Sequence, residues 1–306
     1  MSEEINDPGT GKSFGKHHNR LINSDGSFNV TRKGARTGFR DIFSLLVETS
    51  WLKFFGILFI GYLLFNLIFA GIFWLIGADQ ITGINPNQNT FLQLFFFSIQ
   101  TFTTVGYGAI SPTGVGAQAL STIVAFVGFL SFSLATGLLY GRFSRPNPKL
   151  VFSKNILYSK YQDAYSLKLR FANERQSVLL ELEASLMLTI DVVDPDGNVG
   201  KNYFRLPLEV SKIQMMPLSW TLVHKIDKES PLWEKSRDEI LSQNPEIIVN
   251  LKGFDEVYGQ HVRIRHSYTA RDFLWNKNFT KIFYAADDGT IAIDLDDINR
   301  MENDPD

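Results

Sequence analysis

Between residues 54 and 141 the chain has no lysine or arginine, and its one acidic residue there is Asp79. All 30 basic residues and the rest of the 32 acidic ones lie outside that stretch. So sharp a boundary separates a region solvated by lipid from regions solvated by water. Residues 54–78 are free of charge and rich in Phe, Leu and Ile. As a helix they measure about 37 Å, enough to cross a hydrocarbon core of roughly 30 Å with some tilt. They show no polar stripe, and Trp51 and Trp74 sit near the ends, where amphipathic rings favour the interface. A second span, residues 117–143, is punctuated by Ala119, Ser121, Ala125, Gly128, Ser131, Ser133, Ala135 and Gly137. Small residues let helices approach closely where lipid supplies no hydrophobic drive. The bulkier first span is therefore read as lipid-facing and the second as the inner helix.

Residues 91–100 between the spans are apolar but too short to cross, so they are read as re-entrant, with Asn89 and Thr90 placed to cap a helix start. Irregular backbone at membrane depth is tolerated only where protein buries it or it lines a water-filled cavity. A short helix followed by glycines between two spans thus argues for a pore. Lys12, Lys16, Arg20, Arg32, Lys33, Arg36, Arg40 and Lys53 precede the first span, and Arg142, Arg145, Lys149 and Lys154 lie at or beyond the end of the second. By the positive-inside rule both termini are expected in the cytoplasm, with the re-entrant loop opening outside and the chain multi-pass in the plasma (inner) membrane. The polar first residues offer no cleavable signal peptide.

The pore segment contains Thr103-Thr104-Val105-Gly106-Tyr107-Gly108. Stripping K⁺ of its water is offset by oxygen ligands of equal quality, which successive backbone carbonyls from four chains supply. Aiming consecutive carbonyls at one axis drives the backbone into regions costly for residues with a Cβ, hence Gly106 and Gly108. Thr104 adds its hydroxyl as an innermost ring, while Val105 and Tyr107 face outward and brace the filter. One chain holds one copy of the segment, so the working unit is expected to be a homotetramer, each chain with three identical partners. K⁺ in the filter is the only bound metal expected, with no cofactor.

The net charge of −2 provides no basic excess for nucleic acid, and the absence of cysteine excludes disulfides and thiolate chemistry. His17, His18, His224, His261 and His266 form no nucleophile or metal constellation, so no enzyme is read here. No span carries repeating arginines, which excludes a voltage sensor, and no Gly-x-Gly-x-x-Gly fingerprint follows Arg142. Instead, alternation in Ser166-Leu167-Lys168-Leu169-Arg170-Phe171 and His261-Val262-Arg263-Ile264-Arg265-His266, with a turn at Asp194-Pro195-Asp196-Gly197, predicts a β-sandwich.

The sequence resembles the inward-rectifier potassium channel family, especially its bacterial branch, from about Arg20 to Ile293. Matching stretches are Arg20-Leu21-Ile22-Asn23-Ser24-Asp25-Gly26, Arg145-Pro146 and Phe152-Ser153-Lys154-Asn155. Others are His224-Lys225-Ile226-Asp227-Lys228-Glu229-Ser230-Pro231-Leu232 and Tyr268-Thr269-Ala270-Arg271-Asp272-Phe273-Leu274-Trp275. The resemblance implies a homotetramer with an immunoglobulin-like cytoplasmic domain that extends the pore as a vestibule. The expected organisation is a cytoplasmic N-terminal segment (1–39), an interfacial slide helix (40–50), a pore domain (51–143) and a cytoplasmic β-sandwich (144–306). The pore domain comprises an outer helix (51–78), a pore helix (90–103), the filter (104–108) and the inner helix (117–143).

The same resemblance makes Phe132 and Tyr140 pore-lining, with Tyr140 at a constriction that a ring of aromatics closes by dewetting; packing against the outer helix is the alternative. Gly128 and Gly137 match family glycines and serve either as hinges or for packing. Strong rectifiers carry an acid at the position of Phe132, so block by internal Mg²⁺ or polyamines is expected to be weak. Glu181 and Glu256 align with the family's cytoplasmic-pore acids; a solvated strand face is the alternative. Lys53, Arg142, Arg145 and Lys149 are candidates for anionic lipid such as phosphoinositides, although the positive-inside rule alone also predicts them. Gln100 and Ala109 stand where many animal members place a Glu–Arg pair behind the filter.

Overall fold

The computed structural model describes residues 4–5, 20–23, 25–31, 33–34, 41–146, 148–193, 197 and 199–304. Outside them lie Arg40, Ser24, Asn147, the histidines at 17 and 18, the basic residues at 12, 16, 32 and 36, and Asp194-Pro195-Asp196 of the expected turn. Chain order runs β1 (Glu4–Ile5), α1 (Asp41–Glu48), α2 (Trp51–Ile76), β2 (Ile81–Thr82), α3 (Thr90–Phe102), β3 (Ser111–Pro112) and α4 (Val115–Phe143). Then come β4 (Leu150–Phe152), β5 (Ile156–Tyr161), β6 (Ala164–Asn173), β7 (Leu179–Val193), β8 (Val199–Leu206), β9 (Lys212–Met216) and β10 (Ser219–Ile226). Helix α5 (Arg237–Ser242) precedes β11 (Glu246–Asp255), β12 (Gln260–Thr269), β13 (Phe273–Trp275), β14 (Lys277–Phe279), β15 (Phe283–Ala285), β16 (Ile291–Ile293) and β17 (Met301–Asn303). Two compact units result: Gly34–Arg145, and Met1–Lys33 together with Pro146–Asp306.

In the first unit, α2 and α4 are long apolar helices, the conformation in which a lipid-exposed backbone satisfies its own polar groups. Only 17% and 11% of their most apolar windows are buried, whereas the core helix of a soluble protein is mostly covered. Helix α2 stops at Ile76, short of residue 78, because Gly77 turns to φ 112°. Helix α3 begins where the Asn89 side chain accepts the Leu92 N–H at 3.0 Å. Phe69, Phe73, Leu94, Phe97, Phe102, Leu120 and Val124 bury one another between the three helices, with the rings of Phe73 and Phe97 5.0 Å apart. A buried polar contact lies among them: Ser98 Oγ donates to Asn66 Oδ1 at 3.0 Å, and Asn66 Nδ2 donates to the Tyr62 carbonyl.

The second unit is a sandwich. One sheet has the order β1-β8-β7-β11-β12, with β9 also on β7; the other has β10-β6-β5-β13, with β4 on β6. Leu167, Leu169 and Phe171 of β6 meet Leu182, Leu186, Leu188, Ile247, Val249 and Leu251 from the facing sheet in the core. The alternate residues of β6 are not solvated: Ser166, Lys168 and Arg170 are buried as well. The C-terminal segment covers them, and the Arg170 guanidinium donates to the carbonyls of Thr280, Asp297 and Ile298 and lies 4.5 Å from the Phe279 ring. Burial lowers its pKa to about 10, which still leaves it charged at neutral pH.

Candidate functional site: the filter segment and its supports

The segment after α3 is held by the open end of that helix. Helices leave their last carbonyls without partners, and here the filter's amides take them. Thr104 N–H donates to the Thr101 carbonyl at 3.0 Å, and Val105 and Gly106 N–H both reach the Gln100 carbonyl, at 3.0 and 3.2 Å. Thr103 Oγ1 donates to the Ile99 carbonyl at 2.8 Å. Among the described residues, no backbone N–H bonds the carbonyls of residues 104–108.

Thr104, Gly106 and Gly108 have φ of 57°, 50° and 80°, alternating with Val105 and Tyr107, which have no positive φ. Nothing lies within 4 Å of where a Cβ on Gly106 or Gly108 would stand, so conformation, not crowding, requires glycine there. Thr104 adopts the same conformation with a Cβ, at a cost of about 1–2 kcal/mol; the glycine pattern alone gave no sign of it. The negative end of the α3 dipole abuts the segment and favours a cation. Val105 and Tyr107 are 54% and 76% exposed.

Around this segment, Gly128 of α4 is buried, and a Cβ there would stand 1.9 Å from the Phe102 carbonyl oxygen. Gly137 has open space instead. Phe132 and Tyr140 project from α4, 73% and 74% exposed.

Residues 61–145 match the family model described as "Ion channel", and residues 150–304 match "Inward rectifier potassium channel C-terminal domain". The inward rectifier potassium channel Kirbac3.1 of Paramagnetospirillum magnetotacticum is 34% identical over 278 residues, 90% of this chain and 93% of that one. The G protein-activated inward rectifier potassium channel 2 of Pongo abelii is 29% identical over 92% of this chain and 71% of its own length. Channel 3 of the same name from Mus musculus is 28% identical over 90% and 75%. The chain belongs to the inward-rectifier potassium channel family. It is a potassium channel with two membrane-spanning helices and an all-β C-terminal domain, not an enzyme.

Of the basic residues at the membrane boundary, Arg142 is the one held by backbone carbonyls among the described residues. The Arg142 guanidinium donates to the carbonyls of Leu46 (2.5 Å), Val47 (3.1 Å) and Thr49 (2.7 Å). It also sits 4.4 and 4.6 Å from the rings of Trp51 and Phe54. The carbonyls at the end of α1 have no helical partner, and a planar guanidinium satisfies several at once. Arg145 pairs with Glu48 at 3.6 Å, both side chains well exposed. Lys53 and Lys149 remain exposed.

In the β unit, Glu181 sits at a bulge where β7 slips against β11 between Lys252 and Phe254, with φ 48°. Bulges re-aim side chains, and this one turns Glu181 into a cavity of about 520 Å³ shared with Gln214, Met215, Phe254 and His261. Glu256 is exposed in the turn after β11, at the same end of that sheet.

Proposed function

We propose that four copies of this channel surround one axis, each contributing the carbonyls of residues 104–108, and that K⁺ crosses by exchanging its water for those oxygens. The alternating left-handed residues at 104, 106 and 108 carry this reading: such a backbone would aim successive carbonyls at one axis, and among the described residues no backbone N–H takes those oxygens. Exposed Val105 and Tyr107 support it too, since an apolar surface at membrane depth beside irregular backbone calls for a protein cover that one chain lacks.

In this arrangement Phe132 and Tyr140 line the conduction path, and four Tyr140 rings close it by dewetting. Phe132 in place of an acid leaves Glu181 and Glu256 as the carboxylates facing internal cations, giving weak block by Mg²⁺ or polyamines. Both termini are cytoplasmic, in the plasma (inner) membrane, and gating passes from the cytoplasmic domain and anionic lipids, including phosphoinositides at Lys53, Arg145 and Lys149, to the inner helix.

Purified protein in liposomes provides the test. Rb⁺ uptake blocked by Ba²⁺, with Na⁺ excluded, is the expected outcome, and Gly106→Ala abolishes it. Equal passage of Na⁺ and K⁺, or a particle that is not fourfold, ends the reading.

A further inference from the structure

Resting on the fourfold assembly above, we propose that the acidic β15–β16 hairpin of one subunit seats in a basic cleft on the outer face of the six-stranded sheet of the next. The cleft encloses about 600 Å³ and is lined by Ser185, Arg205, Asn250, Lys252, Arg263 and Arg265. Pairing register puts these residues on one face: Asn250 stands between Ser185 and Arg265, and Lys252 between Glu183 and Arg263. Lys252 and Arg263 are thus like charges directly across a strand pair, a destabilising arrangement unless an anion lies between them. Glu183 is the one acid lining the cleft, directly across from Lys252, and it is already bonded to Lys212 at 3.1 Å. Among the described residues no acid lies within ion-pair distance of Arg205, Lys252, Arg263 or Arg265, and Arg265 rests 4.9 Å from the Phe28 ring.

The chain carries the complement elsewhere. Residues 287–304 contain Asp287, Asp288, Asp294, Asp296, Asp297, Glu302 and Asp304 against the single base Arg300. At the hairpin tip Asp287 and Asp288 are exposed, and among the described residues Asp288 bonds Thr290 of its own turn. Tyr284 stands 58% exposed on the hairpin, the kind of aromatic anchor that interfaces favour. A fourfold ring is closed by head-to-tail contacts, so each chain must present two different, complementary patches. A basic concavity and an acidic protrusion meet that requirement, and opposite charge sets the register between them.

The natural chain has no cysteine, which makes a disulfide scan clean. In full-length channel, Arg263→Cys combined with Asp288→Cys should, on oxidation, give a ladder up to tetramer on a non-reducing gel, while each single variant stays monomeric. Asp287→Lys with Asp288→Lys should lower the temperature at which the tetramer dissociates, and adding Arg263→Glu with Arg265→Glu should restore it. No ladder from channel that an amine-reactive cross-linker still captures as a tetramer overturns the proposal and leaves the fourfold reading standing. No tetramer with either reagent overturns both. Protection of the Arg263→Cys variant from maleimide by tripolyphosphate, without any ladder, makes the cleft a small-anion site and also overturns it.

Discussion

The Phe102 carbonyl at the end of α3 occupies the space beside Gly128 of α4, 1.9 Å from where a β-carbon would project. Glycine there is a packing requirement, because backbone cannot rotate away as a flexible side chain does. Gly137, nine residues on, has no such neighbour, which leaves it the position free to bend. Gly128→Ala must push α4 off the pore helix at a cost of roughly 1–3 kcal/mol, and Rb⁺ flux should collapse. Gly137→Ala should fold normally, with stability within about 0.5 kcal/mol of the parent, and shift open probability alone. Normal flux through Gly128→Ala channels would contradict this packing.

Arg142 offers a second discrimination. If its role were charge toward anionic lipid, lysine would serve as well. The structure gives it three carbonyls of the α1 end and two aromatic rings, a geometry that a compact ammonium does not reproduce. Arg142→Lys should therefore loosen α1 nearly as much as Arg142→Gln. A nitroxide on a Ser44→Cys background reads this directly: mobility should rise in both variants. A lysine variant indistinguishable from the parent would show that Arg142 acts through charge alone.

Features written in periodicity were legible. The long apolar spans and the cap at Asn89 each follow from a local rule, and the structure has them on α2, α4 and α3; the positive φ at Gly106 and Gly108 was likewise legible from glycine. Arg142 was legible only as a basic residue near a membrane boundary, because its partners are carbonyls about 95 positions earlier and carbonyls carry no sequence signature. Asn66 meets Ser98 across two helices for the same reason. On β6 the alternation identified the apolar face, yet its polar residues lie under a C-terminal segment that no strand pattern announces. The bulge at Glu181 arises from the mismatch between two strands, so neither strand alone foretells it.

That buried polar face gives a stability prediction. Replacing Arg170 by leucine removes the donor from the carbonyls of Thr280, Asp297 and Ile298. Each buried carbonyl left without a donor typically costs about 1–3 kcal/mol. For a unit of this size each kcal/mol is roughly 2–4 °C, so the midpoint of the full-length channel should fall by about 10 °C. Limited proteolysis should then cut near residues 280–300 first. An unshifted midpoint would show that the C-terminal segment is held by its apolar contacts alone.

His224 makes the β unit sensitive to mild acid. It is almost fully buried; Nδ1 lies 2.7 Å from the Pro207 carbonyl and Nε2 2.9 Å from Ser230 Oγ. A carbonyl only accepts, so Nδ1 carries the proton and Nε2 accepts from the serine. Burial depresses the pKa below the ordinary 6.5, against opposing effects from the Pro207 hydrogen bond and Asp227. Above pH 6.5 both the folded and unfolded chains keep this imidazole neutral, and its contribution is constant. As pH falls below 6.5 the unfolded chain takes up a proton that the folded one resists, so stability falls toward the depressed folded pKa and levels off beneath it. The melting midpoint of the channel should therefore drop between pH 7.5 and 5.5, and His224→Gln, which keeps a donor and an acceptor without titrating, should flatten that part of the profile. A variant whose midpoint falls with acid as steeply as the parent's assigns the sensitivity to other groups.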